Sequence, residues 1–134
     1  GSGVNKDLLP ENVVWIDYVH GTDELANIYS SVDVYVHLSR QDTFGKVVAE
    51  AMACGTPVIV YDSTALPELI GEGCGYKVAC GNIVALFKAV ILIKTNTKKH
   101  YSRNCRSFVE KNFEKKTLIK EMEILYRDIL NNNK

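Results

Sequence analysis

The chain reads as a doubly wound α/β domain built on a parallel sheet with flanking helices. Two observations carry that reading: apolar runs of strand length alternate with helical periodicity, and the strand-like runs are nearly continuous rather than alternating in polarity. A third is local. Residues 33–61 spell a strand, a loop, a helix, a glycine stop and a second strand, which is one βαβ unit.

Length and composition set the limits. A chain of 134 residues, 46% of them hydrophobic, can bury one proper core. Sixteen basic residues balance sixteen acidic ones, so nothing global points to nucleic acid as a partner. No run reaches the length of a transmembrane helix, and the opening residues show no charged n-region followed by an apolar h-region. Gly1, Ser2 and Gly3 read as a cloning remnant, and the start without methionine as part of something longer. The four cysteines (Cys54, Cys74, Cys80 and Cys105) form no CxxC pair and stand near no histidine at metal-ligand spacing. Reduced structural thiols in a cytoplasmic setting are expected, with no metal site.

Residues 1–12 are a polar lead-in, residues 13–80 an α/β core, and residues 81–134 a helical C-terminal part of the same domain. In order, Val13–Ile16 is the expected first strand. Thr22 or Asp23 is suited to cap a helix that places Leu25, Ile28 and Tyr29 on one face. Asp33–Leu38 is the next strand. After Gly45 a helical pattern runs to Gly55, and Val58–Tyr61 resumes the sheet. Pro67 and Glu68 suit the first turn of a short helix. Gly71, Gly73 and Gly75 punctuate a loop before a last short strand at Tyr76–Val78.

From Asn82 the pattern is helical throughout. Ile83, Leu86, Phe87, Val90, Ile91 and Ile93 form a wide apolar stripe. Lys98 to Glu110 is a second, more polar helix. A third runs from Lys115 to about Leu130 with Leu118, Ile119, Met122, Leu125 and Ile129 on one face. Tyr76, Phe87, Phe108 and Phe113 are expected in the core. Lys94, Lys98, Lys99, Arg103 and Arg106 give the tail a basic face, solvated by default and able to touch a membrane surface.

Chemistry concentrates between residues 42 and 57. Asp42 stands in the loop after a strand, and Glu50 stands eight positions further on, in the helix. Ligands of parallel sheets bind at the carboxyl ends of strands, where helix N-termini present free N–H groups and a positive dipole. A carboxylate can accept two vicinal hydroxyls at once, and Gly45 lets a ligand approach the backbone. Lys46 near a helix N-terminus is electrostatically unfavourable unless an anion joins it. Each residue also has a plain role: Asp42 as a helix cap, Glu50 and Lys46 as solvated side chains, and His20, His37 and His100 as core or surface residues.

The block Asp42-Thr43-Phe44-Gly45, followed by Glu50-Ala51-Met52-Ala53-Cys54-Gly55-Thr56-Pro57-Val58-Ile59, resembles the donor-binding signature of retaining GT-B glycosyltransferases of the GT4 type. The resemblance covers most of residues 13–90. It implies a partial, Rossmann-like GT-B C-terminal domain. Asp42 then takes the place of the family's first glutamate, facing the donor sugar as the catalytic acid residue of the site. Thr43, Phe44, Gly45 and Lys46 form the loop that reaches the sugar and diphosphate. Glu50 bonds the ribose, and His20 lies near the nucleotide.

The implied reaction moves a sugar from a nucleotide diphosphate-sugar to a glycan or lipid-linked acceptor, as in bacterial glycan or capsule assembly, without a metal or other cofactor. The enzyme would be cytoplasmic or peripheral at the inner face of the membrane. Aspartate at 42 is one methylene shorter than the usual glutamate. The family's cationic diphosphate pair and its acceptor domain have no counterpart in this chain, so activity by the fragment alone is not expected. An unpaired sheet edge next to Asp33–Leu38 would favour either local rearrangement or a homodimer through that edge. Two other readings remain open: a nucleotide-sugar epimerase of the same architecture, and a non-catalytic scaffold.

Overall fold

The computed structural model describes residues 6–41 and 45–113. A 3-10 turn, Lys6–Leu8, is followed by α1 (Thr22–Ser31), β1 (Tyr35–His37), α2 (Lys46–Ala53) and β2 (Val58–Tyr61). A second 3-10 helix (Leu66–Leu69), β3 (Gly75–Val78) and α3 (Ile83–Phe113) complete it. The sheet order is β1-β2-β3 and both pairings are parallel, so the expected class holds.

The core follows from β2. All four of its residues are buried, so both faces of the central strand are covered. Each fully buried valine or isoleucine there contributes on the order of 1.5–3 kcal/mol relative to exposure. Val48, Ala51 and Met52 of α2 are completely buried in the same core, as the helical spacing predicts. The Val58 carbonyl leaves no room for a Cβ at Gly75, where φ is 152°, so only glycine allows β3 to lie against β2 there.

Several expectations are corrected. Val13–Ile16 is not a strand: Val13, Val14 and Ile16 are exposed, and the local order is a turn in which the Val13 N–H donates to the Pro10 carbonyl at 2.9 Å. An apolar run becomes a strand only beside a partner, and among the described residues nothing pairs with the outer edge of β1. The Asp33–Leu38 strand shrinks to three residues, and α1 begins after Gly21, with neither Thr22 nor Asp23 capping it. The apolar stripe of α3 is split. Ala89 and Ile93 are buried, whereas Ile83, Phe87 and Ile91 face outward, which also removes Phe87 from the expected core. The helix expected over 115–130 lies outside the described residues.

The expected division of the helical tail near residue 98 is present. Thr97 has φ 64° and ψ 152°, which breaks α3 into segments 83–96 and 98–113. That conformation is nearly confined to glycine and costs about 1–3 kcal/mol in a threonine. The break lets Lys98 turn back on α1. Its Nζ donates to the carbonyls of Ser30 (2.6 Å), Val32 (2.9 Å) and Tyr29 (3.4 Å), capping that helix's negative end.

From there the second segment crosses beneath the amino ends of the strands. The Ser102 hydroxyl donates to the Gly55 carbonyl at 2.7 Å, and the Arg106 guanidinium lies over Gly55. Two members of the expected basic face, Lys98 and Arg106, therefore serve the fold. Lys98→Met should lower stability by about 1–3 kcal/mol in urea unfolding, the cost of helix carbonyls left without their donor. Thr97→Gly, measured the same way, should raise stability by about 1 kcal/mol by relieving the backbone.

Candidate functional site

The carboxyl edge of the sheet carries the candidate site. β1 delivers the chain to residue 41, and α2 begins at Lys46 with Gly45 as its N-cap. Gly45 is left-handed (φ 60°, ψ 34°), and a side chain there would collide with Leu69 Cδ1 and lie 3.0 Å from Leu66 Cδ2. The Leu66–Leu69 helix, with both leucines buried, thus seats the glycine from behind. Among the described residues no side chain caps α2, and the Gly45 carbonyl accepts the N–H groups of Val48 (2.9 Å) and Ala49 (3.3 Å). Helix geometry leaves the N–H groups of Lys46 and Val47 without intrahelical acceptors, with the positive dipole end behind them.

Glu50 follows one turn later. Its Oε1 lies 3.8 Å from Lys46 Nζ, and the two side chains are 34% and 80% exposed. A pair that long and that solvated contributes only a few tenths of a kcal/mol, so both groups stay available to a ligand. Glu50 also lines a groove of about 220 Å³ between α1 and α2, with Thr22, Leu25, Ala26, Tyr29, Ala53 and Cys54. A cleft of about 310 Å³ between β1 and α3 opens instead at Asp33 and Val34, the amino end of β1, away from this chemistry.

Of the expected residues, the structure brings together Gly45, Lys46 and Glu50 on one helix end. Asp42, Thr43 and Phe44 lie outside the described residues. His20 is exposed and packs edge-on against Tyr18, with ring centroids 4.8 Å apart. It makes no hydrogen bond with Lys46 or Glu50, although α1 starts two residues later at the groove's Thr22.

Sequence reasoning did not find the groove, because its wall is a helix face whose apolar spacing reads as core. It also missed Ser63, whose buried hydroxyl just beyond the carboxyl end of β2 has no hydrogen-bond partner among the described residues. A serine two residues past the end of a strand was the only signal available.

Tyr29 forms the floor where α1 meets α2. Its phenol is pushed up to about 12, first by burial and then by the charges of Tyr35, Glu50 and Cys54. Its backbone carbonyl accepts the buried Thr56 hydroxyl at 2.6 Å, which ties α1 to the turn between α2 and β2.

A parallel sheet with flanking helices and a glycine-opened helix at its carboxyl edge is a Rossmann-like arrangement, and it matches part of the GT-B glycosyltransferase fold. Sucrose-phosphate synthase from Thermosynechococcus elongatus superposes with a TM-score of 0.68 at 32% identity, over 82% of this chain and 28% of that one. Anabaena HepE in complex with UDP-glucose shares the fold, with a TM-score of 0.63 at 22% identity over 78% of this chain and 30% of that one. The chain belongs to the family of group 1 glycosyl transferases, which it matches over residues 4–115. N-acetyl-alpha-D-glucosaminyl L-malate synthase of Bacillus anthracis is 29% identical over 115 residues, 84% of this chain. The chain spans 30% of that enzyme's length.

Tyr29 yields a test of the packing around the groove. A phenol that ionises near 10 when unfolded and about 12 when folded contributes its full stability below pH 10 and loses it as pH rises toward 12. The urea midpoint should therefore fall between pH 10 and 12, and Tyr29→Phe should flatten that slope. A slope unchanged in Tyr29→Phe would mean that the phenol is not held neutral by this packing.

Proposed function

We propose that this chain is the donor-binding part of a retaining glycosyltransferase of the GT4 type, which moves a sugar from a nucleotide diphosphate-sugar to a glycan or lipid-linked hydroxyl. The observation that carries the reading is the pairing of a glycine-opened helix end with Glu50 one turn behind it, at the carboxyl edge of the sheet. A phosphate-bearing ligand suits the N–H groups and positive dipole there, and a vicinal diol suits the carboxylate. HepE, of the same fold, was solved with UDP-glucose, which agrees with a nucleotide-sugar donor.

In this reading Glu50 holds the two ribose hydroxyls. The opening turn of α2 and Lys46 receive the diphosphate. Asp42 faces the sugar near its anomeric carbon, with Thr43 and Phe44 completing the loop, and His20 stands toward the nucleotide. The unpaired Ser63 hydroxyl is a further hydrogen-bonding group for a polyhydroxy ligand at the same edge.

During transfer the bond between the anomeric carbon and the diphosphate oxygen breaks while the acceptor oxygen bonds the same face, and the acceptor's proton passes to the departing diphosphate. Charge builds on the departing diphosphate. Helix N–H groups and the Lys46 ammonium stabilise it there, where preorganised dipoles act most strongly. The chemistry needs no metal or prosthetic group from this chain. The acceptor is held by the rest of the enzyme, and the basic, partly apolar α3 suits a peripheral position at the membrane's inner face.

Calorimetry with a panel of UDP-, GDP- and ADP-sugars tests the proposal. One nucleotide sugar should bind, and Glu50→Ala should weaken it at least about tenfold by removing a charge-assisted bidentate contact. Full affinity in Glu50→Ala would remove the ribose assignment. A wild-type protein that binds none of the panel would favour a scaffold role, and conversion of the sugar without an acceptor would favour an epimerase.

A further inference from the structure

Two cysteines meet beneath the amino edge of the sheet, on the side away from the donor site. Cys74 ends the glycine-punctuated loop 71–75 that feeds β3, and Cys105 lies on the second segment of α3. Both are completely buried. The Cys105 thiol donates to the Cys74 carbonyl at 3.5 Å, and the Cys74 thiol donates to the Glu72 carbonyl at 3.8 Å. Cys54 is half-buried in the α1–α2 groove and Cys80 is exposed, and all four are free thiols.

The pair is chemically unequal. The neighbouring Cys105 thiol, reinforced by the Gly71 backbone, holds the Cys74 thiol below its ordinary value despite burial. The Cys74 thiol beside it, together with burial, pushes Cys105 up. One sulfur is therefore the better nucleophile, and its neighbour keeps a proton and sits in position to follow.

We propose that Cys74 and Cys105 are an oxidisable pair, which a small-molecule disulfide of the glutathione class converts into a bridge between the β3 lead-in and α3. The Cys74 thiolate attacks one sulfur of the oxidant and releases the first glutathione thiolate, leaving a mixed disulfide on Cys74. Cys105, giving up its proton, then attacks the Cys74 sulfur and expels the second glutathione. Two protein thiols are oxidised and one glutathione disulfide is reduced to two thiols, so atoms and electrons balance.

Access comes through opening of the 71–75 loop. Its seal is made by Asn104 over Gly73 and Phe108 over Gly71, both on the segment that the bridge would fix in place. The bridge would lock the amino edge of the sheet and leave the α2 site untouched, so the proposal stands independently of the donor reading.

The test refolds the full chain from urea in a buffer of oxidised and reduced glutathione, traps remaining thiols by alkylation and maps the peptides. The expected product is one dominant intramolecular disulfide, Cys74–Cys105, with a mass lower by about 2 Da. Its Tm should rise by about 5–10 °C and return to the starting value with dithiothreitol. Cys80→Ser should change nothing, whereas Cys105→Ser should accumulate the mixed disulfide at Cys74. Wild-type protein that emerges with both cysteines alkylated, both glutathionylated, or paired at similar yield with Cys54 or Cys80 would overturn the proposal.

Discussion

One ammonium group holds the ends of several elements in place. Lys98 Nζ gathers carbonyls from Tyr29, Ser30 and Val32, where α1 stops and the chain turns toward β1. It reaches them only because Thr97 breaks α3 in a conformation that threonine disfavours. The strain and the cap are two sides of one device: backbone energy is stored at residue 97, and residue 98 satisfies three carbonyls that would otherwise need water. Ser102 and Arg106 extend the same clamp to Gly55, so the second segment of α3 braces the amino edge of the sheet.

That brace matters for the opposite edge. Binding at a helix N-terminus demands that the helix not slide, since a shift of about 1 Å in reacting groups can cost on the order of a hundredfold in rate. α2 is fixed at its far end by Gly55 and by the Thr56–Tyr29 bond, and at its near end by the leucines behind Gly45. Between these anchors Val48, Ala51 and Met52 are buried without exposure. Lys46 and Glu50, by contrast, are tied only loosely to each other. A rigid helix thus presents uncommitted charged groups, the arrangement expected where a ligand supplies the missing partners.

Much of this was legible in the residues. The βαβ unit from β1 to β2, the glycine stop at 55, the proline in the Leu66–Leu69 turn and the break ahead of Lys98 all follow from local rules that the structure obeys. The failures have a common cause, which is that pairing and facing are decided at long range. Val13–Ile16 has strand composition but no neighbour to bond. The first segment of α3 is apolar nearly all round, so periodicity could not choose Leu86, Ala89, Val90 and Ile93 over Ile83, Phe87 and Ile91. Lys98 looked like one more solvated cation because its partners lie more than sixty residues earlier. In the site, Gly45, Lys46 and Glu50 were readable from the motif, whereas the Tyr29 groove and the unpaired Ser63 hydroxyl needed the fold.

The central claim is that the N-terminal end of α2 receives the diphosphate of a nucleotide sugar while Glu50 holds its ribose. Backbone amide shifts followed by NMR during a titration with UDP-glucose, and with a GDP-sugar in parallel, address it most directly. The account predicts saturable shifts that centre on Gly45, Lys46, Val47 and Glu50, spread to Thr22 and Leu25 of the groove, and leave residues 98–113 unmoved. Saturable shifts centred on the cleft at Asp33, Val34 and Lys94, with the α2 amides unchanged, would contradict it.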